Sequence, residues 1–252
     1  MKSEHAVVMI GGVTGGIGSD LARRLAAAGW QVAGFARDAA KLDALAAEVS
    51  GLFAQTVEAT DAAAVETAVK AVLERFGRLD AYVHAVGSIF IKPAHLTRIE
   101  EWRRVMELNL DSAFYALRAV VGPMQTQAGG GSIVLVSSVA AQAGVPGHEA
   151  IAAAKGGING LVLAAAASYA PKSIRVNAVA PGLVDTPLSA GLLSSEQARQ
   201  FSEKMHPLGK IGRAENVGSL IAWLVSPEAD WVTGQIWSVD GGMAHVRAKP
   251  KM

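Results

Sequence analysis

The sequence contains no cysteine. That excludes disulfides, a thiolate nucleophile and cysteine-ligated zinc. Charge of one sign is also missing: 23 Lys and Arg stand against 22 Asp and Glu, for a net +1. No basic stretch precedes the last few residues, so the electrostatic footprint of a nucleic-acid binder is absent. Apolar runs are short. The longest candidate, Leu161 to Ala167, runs directly into Ser168 and Tyr169 and falls well below the ~18–20 residues that cross a bilayer. Met1 to His5 is too short and polar for a signal peptide, which points to a cytoplasmic protein without a membrane partner. Tyrosine is scarce, with 3 in the chain, and their positions matter below.

What is present suits one domain over residues 1–252. Apolar residues make up 51% of 252, ample for a large core. Apolar runs of strand length alternate with stretches of helical period. Strands are expected at Ala6–Ile10, Gln31–Ala36, Gly51–Val57, Ala81–Val86, Ser132–Val136, Ile174–Val179 and Gln235–Val239. Helices are expected at Ile17–Ala28, Ala39–Val49, Ala62–Phe76, Glu100–Gln127 and Glu149–Ala170, with shorter ones near Ser195–Met205 and Glu215–Val225. Asp61 has the character of an N-cap and Gly77 of a helix stop. This alternation implies parallel strands with right-handed crossovers, and the nearly continuous apolar strands imply a sheet covered on both faces. The fold class is therefore α/β, a doubly wound Rossmann fold. The segment 185–212 is the most loop-like stretch, and reads either as a substrate lid or as packed surface helices.

Gly12, Gly16 and Gly18 lie between the first strand and the first helix. Glycine there lets backbone approach a pyrophosphate, and the helix N-terminus supplies N–H groups. The end of the second strand reads Phe35-Ala36-Arg37-Asp38. An acid at this point accepts from an adenosine ribose, whereas arginine favours a 2′-phosphate. With Ala36 at the acid position, Arg37 points to NADP rather than NAD. The rival reading makes Arg37 a solvated charge and Asp38 the cap of the next helix.

At these residues the chain resembles the short-chain dehydrogenase/reductase family. The glycine motif appears as Gly11-Gly12-Val13-Thr14-Gly15-Gly16-Ile17-Gly18, with Gly11 where the family has threonine. The family's Asn-Asn-Ala-Gly appears as His84-Ala85-Val86-Gly87, a clear departure. Asn109 matches the helix asparagine, and Ser138, less well Ser137, the serine after the fifth strand. Arg175-Val176-Asn177-Ala178-Val179-Ala180-Pro181-Gly182 and Val239-Asp240-Gly241-Gly242 match closely. The resemblance implies seven parallel strands, a nicotinamide cofactor, a small-molecule substrate and a homotetramer or homodimer. Its implied cofactor contacts are Gly12, Gly16, Ile17, Gly18 and Arg37, with Glu58 near the adenine, Gly87, Lys155, Pro181, Gly182 and Val184. Thr186 is expected at the nicotinamide or phosphate, or else as a turn residue near Pro187.

Members of the family pair a tyrosine with a lysine four residues later on one helix face. Lys155 is present, but the residue four before it is Ile151. Tyr82, Tyr115 and Tyr169 do not fit the position. His148, three residues before Ile151 at the start of the same helix, is a candidate proton donor; Glu149 is a weaker one, and water relayed through Lys155 and Asn109 is another route. A third reading binds the cofactor without turnover, as a sensor or structural partner. His84 reads as structural. His95, His206 and His245 have no metal-ligand spacing, and no metal is expected. Substrate-lining residues are expected from Gly144–His148, Ile89–Ala94 and the segment after Pro181, which are mostly apolar.

Overall fold

The computed structural model describes residues 6–247; His5 and the tail beyond Arg247, including Lys249 and Lys251, lie outside the described residues. The strands are β1 (Val7–Gly11), β2 (Gln31–Ala36), β3 (Phe53–Thr56), β4 (Ala81–His84), β5 (Gly131–Val136), β6 (Ile174–Pro181), β7 (Val184–Asp185), β8 (Gly212–Arg213) and β9 (Ile236–Val239). Seven of them form one sheet in the order β3-β2-β1-β4-β5-β6-β9, parallel at every pairing. The chain leaves β1 toward β2 and β3, then returns to the far side of β1 with β4. The crevice outside the carboxyl ends of β1 and β4 is therefore a topological switch point, where doubly wound sheets bind ligands.

Alternation along the strands sorts the core into two layers. Val7 and Met9 point with Tyr82, Ile133 and Val176 toward α3 (Ala62–Phe76), α5 (Ser112–Thr126) and α6 (Glu149–Tyr169). Val8 and Ile10 point with Val83, Val134 and Val179 toward α1 (Gly16–Ala27), α2 (Ala39–Glu48) and α8 (Ala214–Val225). Each fully buried Val, Leu or Ile contributes about 1.5–3 kcal/mol relative to exposure. Helix α7 (Glu196–Met205) lies outside these layers and has no buried residue.

Local signals set the helix ends. Asp61 accepts from the backbone N–H groups of Ala63 and Ala64, and Gly77 closes α3 in the left-handed region at φ 73°. The expected helix 100–127 departs from its sequence reading. It divides into α4 (Ile99–Met106) and α5, joined by a π turn at Glu107–Asp111. Apolar periodicity continues through such a turn and hides it. Strand β4 ends at His84, short of the expected Val86. Helix α6 with its continuation to Lys172 corrects a second expectation, because over 24 residues it is long and apolar enough to cross a membrane by length and composition. Here it packs along β6 and buries Ile158 and Val162 against the sheet.

A polar chain crosses the apolar layer under α5. The Ser112 hydroxyl donates to the Leu108 carbonyl at 2.7 Å, so its oxygen accepts from His84 Nε2–H at 3.0 Å. The His84 Nδ1 atom then accepts from the Tyr82 hydroxyl at 2.9 Å. Burial, and after it the Lys155 charge, pushes the His84 pKa down to about 3, keeping the ring neutral. Every member is satisfied, which is the condition for a buried polar network to be tolerated. Ser112→Ala leaves the His84 N–H without an acceptor. We expect it to cost about 1–3 kcal/mol in urea denaturation, and an unchanged midpoint would show that the chain contributes nothing.

Candidate active site

The β1–α1 turn is built to bring backbone close to a ligand. Gly12 sits at φ 76°, and a Cβ there would lie 2.8 Å from the Ala85 carbonyl oxygen. Its N–H and that of Val13 both donate to the Phe35 carbonyl, fixing the turn between β1 and β2. Gly18 is buried with no room for a side chain against Gly12. The N-cap of α1 is Gly15, and no side chain accepts from the first N–H groups. Uncapped N–H groups and the positive end of a helix dipole fit an anionic pyrophosphate. Ile17 is half-buried, with its side chain packed into the layer against α1, so its backbone is what it offers to a ligand.

At the end of β2 the Asp38 carboxylate accepts from Lys41 N–H and caps α2, as one reading of the sequence expected. That bond lowers the Asp38 pKa and occupies the acid. Arg37 is exposed and lies 3.8 Å from Glu58. The two residues expected at the adenosine end therefore face each other.

Asn109 sits in the π turn and is fully buried. Its Oδ1 accepts from Ser88 N–H at 2.9 Å, and its Nδ2 donates to the Ser88 hydroxyl and to the Val105 carbonyl, both at 3.0 Å. The side chain thus clamps the exit of β4 to the π turn and has little left to offer a substrate. A Cβ on Gly87 would lie 3.0 Å from Asn109 Oδ1 and 3.3 Å from Lys155 Nζ, so the bare backbone of Gly87, Asn109 and Lys155 come together. Lys155 is 5% exposed, and its ammonium donates to the Val136 carbonyl at 2.9 Å. Burial pushes its pKa down to about 8.

Geometry separates the two serines after β5. Ser137 is buried, with its hydroxyl spent on Asn159 Oδ1 at 2.7 Å and the Lys155 carbonyl at 3.2 Å. Ser138 is half-buried, and its oxygen accepts the Ala140 N–H at 3.1 Å. Among the described residues its hydroxyl hydrogen has no acceptor, unlike that of Ser137.

Ile151 is 5% exposed and packs with Val105, Ala140, Ala150 and Ala154, against which Phe90, Met106 and Leu110 close. The surface one turn before Lys155 is therefore apolar. His148 is the N-cap residue of α6 and caps no backbone N–H with its side chain. Its Nδ1 lies 2.9 Å from the Pro146 carbonyl, and a carbonyl only accepts, so Nδ1 carries the hydrogen and Nε2 is left for another partner. Glu149 beside it is exposed. Two segments expected to line the substrate do meet: Lys92 N–H donates to the Gly147 carbonyl at 2.7 Å. Ile89 and Ile91 remain exposed there.

Beyond β6, Pro181 is buried and Gly182 half-buried. Val184 faces the core with its side chain. Thr186 lies over the glycine turn, since a Cβ on Gly16 would be 2.5 Å from its methyl group. It is also a turn residue: its N–H donates to the Ser189 hydroxyl oxygen at 3.0 Å. The segment 185–212 carries a short 3-10 turn and α7, and its base is stitched by a second, two-stranded sheet of β7 and β8. That stem was invisible in the sequence. So was the place of His206, which is buried against Leu183; nothing in its spacing marks it.

The chain matches the family described as Enoyl-(Acyl carrier protein) reductase over residues 12–244. It is 36% identical over 251 residues to the 3-oxoacyl-(acyl-carrier-protein) reductase FabG of Thermotoga maritima, covering 96% of this chain and 99% of that one. It is also 36% identical to a cyclohexanol dehydrogenase of Acinetobacter sp., covering 95% of each. Among solved structures it is similar to a short-chain type dehydrogenase/reductase from Mycobacterium ulcerans, with a TM-score of 0.92 at 31% identity over 98% of this chain and 93% of that one. An actinorhodin polyketide ketoreductase with NADPH gives a TM-score of 0.92 at 29% identity, over 98% of this chain and 100% of that one.

Lys155 yields a test of the site that needs no substrate. A lysine pKa lowered on folding means that the unfolded chain binds more protons between pH 8 and the ordinary lysine value. The burial penalty is thus full below pH 8 and is relieved as pH rises through that window. Lys155→Met is expected to stabilise the protein near pH 7, by an amount on the order of 2–3 kcal/mol, and the gain should shrink toward zero by about pH 10.5. Paired urea titrations check it; a gain that does not depend on pH contradicts a buried ammonium.

Proposed function

The chain belongs to the short-chain dehydrogenase/reductase family, and from that premise we propose that it is an NADP(H)-dependent oxidoreductase with an atypical proton donor. The substrate is a small, apolar carbonyl compound or alcohol, or an activated alkene or imine. The observation that carries the reading is Lys155: a buried cation at the carboxyl edge of the sheet whose one protein acceptor, among the described residues, is the Val136 carbonyl. An ammonium has three donors, so two remain for ribose hydroxyls. The uncapped first turn of α1 suits a pyrophosphate, and Gly12, Gly16, Ile17 and Gly18 would line it. Gly87, Pro181, Gly182, Val184 and Thr186 would follow the cofactor toward its nicotinamide end. Arg37 would leave Glu58 to pair with the 2′-phosphate, for which a guanidinium fork is well shaped.

When bound, the reduced nicotinamide supplies hydride to the substrate carbon. The protein handles the oxygen. Ser138 donates a hydrogen bond to it, and the protonated His148 passes the Nε2 proton to it, leaving a neutral ring that solvent reprotonates. Oxidation of an alcohol reverses both transfers. Ile151, standing where the family has its tyrosine, offers no proton and forms an apolar wall instead. The unit is read as one cofactor-binding domain, residues 1–252, with 185–212 as its substrate lid. It is further read as cytoplasmic, from the polar residues 1–5, and as a homotetramer or homodimer, from family resemblance.

A second reading, cofactor binding without turnover, is favoured by how tightly Ile151 is packed among apolar side chains. NADPH absorbance with a panel of ketones, aldehydes, imines and enones separates the two. If turnover is seen, His148→Ala should lower kcat by about 10²–10⁴-fold, and full retained activity rejects histidine as the donor. Ile151→Tyr should create or raise carbonyl reduction by a similar factor. Cofactor choice is read by Arg37→Ala, expected to weaken NADPH about tenfold or more, with little change for NADH, as loss of a charge-assisted contact implies.

A further inference from the structure

We propose that His206 is a positioning residue that ties the 185–212 segment to the Pro181–Leu183 turn and so fixes the nicotinamide end of the cofactor cleft. The proposal rests on the cofactor reading above and adds to it a residue outside the glycine turn and the Lys155 helix.

His206 follows directly on α7, near the far end of the segment, yet it is 4% exposed. Its Nδ1 lies 2.7 Å from the Ser202 carbonyl one turn back in α7. A carbonyl only accepts, so Nδ1 carries the hydrogen and Nε2 carries the lone pair. That lone pair accepts the Leu183 backbone N–H at 3.2 Å. The imidazole thus bridges α7 to the backbone that leaves β6. The contact is close on the strand side as well: a Cβ on Gly182 would stand 2.7 Å from Nε2 and 3.0 Å from Asp240 Cα. Glycine at this position serves the histidine as much as any ligand.

Leu183 has both of its backbone groups committed to the returning chain. Its N–H goes to His206, and its carbonyl accepts Gly212 N–H at 3.0 Å. Three residues on, Thr186 rests over Gly16. A shift at Leu183 is therefore carried along a short, pinned stretch to the residue that covers the glycine turn. Beside the tie, Leu208 N–H donates to the Gly241 carbonyl at 3.0 Å, and part of its surroundings is open. A cavity of about 380 Å³ adjoins it there, lined by Leu183, His206, Ile211, Val239 and Asp240 among others. A second link, the Asp185–Arg199 pair at 2.8 Å, is partly exposed and contributes little in water.

Two conservative variants separate the two ring nitrogens. Asparagine places its amide near Nδ1 and can still donate to Ser202, but it does not reach Leu183. Glutamine places its amide oxygen near Nε2 and can accept from Leu183. A buried N–H left unpaired costs enough to change an equilibrium by about tenfold or more. His206→Asn should therefore raise the dissociation constant for NADPH about tenfold. Adenosine 2′,5′-bisphosphate, which occupies only the adenosine end, should bind that variant within about twofold of wild type. His206→Gln should stay within about threefold of wild type for both ligands.

The proposal falls if His206→Asn binds NADPH like wild type. It falls if that variant weakens both ligands equally, as a merely structural role predicts. It also falls if His206→Gln loses as much as His206→Asn. Should the asparagine variant not fold, amide hydrogen exchange in the wild-type protein decides. The Leu183 amide should exchange more slowly once NADPH is added, and no change sinks the tie. A wild-type protein that binds neither ligand overturns the cofactor reading itself, and the tie's role with it.

Discussion

Among the described residues Lys155 is a cation held out of water with no carboxylate paired to it, and much of the surrounding structure can be traced to that arrangement. Burial of an unpaired ammonium is unfavourable, and the protein answers it with a single carbonyl, Val136, at the end of β5. The lysine can reach that carbonyl only if α6 is docked in one register. Ser137 sets the register by binding both the Lys155 carbonyl and Asn159. Opposite the ammonium, Gly87 must stay bare, since a side chain there would press on Nζ and on Asn109. After burial, the same charge helps keep the nearby His84 ring neutral. A group that costs stability and is nonetheless so carefully seated is what a ligand-binding role leads one to expect.

Two of the departures from the family's motifs, at Gly11 and His84, meet in one local arrangement. Gly11 stands where threonine is usual, and His84 where asparagine is usual. A Cβ on Gly11 would lie 2.7 Å from the Tyr82 hydroxyl and 2.8 Å from the Phe35 ring. The missing side chain therefore makes room for the Tyr82 hydroxyl, which His84 then accepts. The chain of bonds runs on through Ser112 to Leu108, in the π turn beside Asn109. One end of the network touches the glycine turn, and the other supports the Lys155 neighbourhood. Together the two residues let one hydrogen-bonded chain join β4 to the π turn before α5, with the bare Gly11 of β1 making room for it.

Continuous apolar runs carried the sheet, because a strand covered on both faces, as β1 is, buries every residue. Capping chemistry carried Asp61 and Gly77 for the same reason: the signal and the structure are both local. The π turn at Glu107–Asp111 escaped because one extra residue per turn barely disturbs an apolar stripe. The β7–β8 stem escaped because two-residue strands have no period to detect. Ser137 and Ser138 could be ranked by motif alone, but only the hydrogen bonds explain the ranking, since one hydroxyl is spent and the other is not. His206 left no local trace at all. Its partner is 23 residues away in sequence, and the glycine that accommodates it reads equally well as a cofactor glycine.

These elements bear on how a site without a phenol next to its lysine can work. Proton donation to an oxygen needs a donor within hydrogen-bond reach, and the wall at Ile151 rules out that stretch of α6 for the purpose. Among the described residues, polar atoms at this edge without a protein partner include the Ser138 hydroxyl hydrogen, the Ser88 hydroxyl hydrogen, the His148 Nε2 and two Lys155 N–H groups. On the proposed reading the last two are taken by ribose. On the same reading Ser138 and His148, which flank the loop between β5 and α6, are the pair that meets the substrate oxygen. On that reading the donor stands at the N-cap of α6, three residues before Ile151. A donor at that point is held by the Pro146 carbonyl rather than by packing, and its position depends on the 144–148 loop. The Lys92–Gly147 bond is what braces that loop against the exit of β4. The chemistry proposed for this protein is thereby tied to the geometry of the 144–148 loop, which Lys92 holds at Gly147.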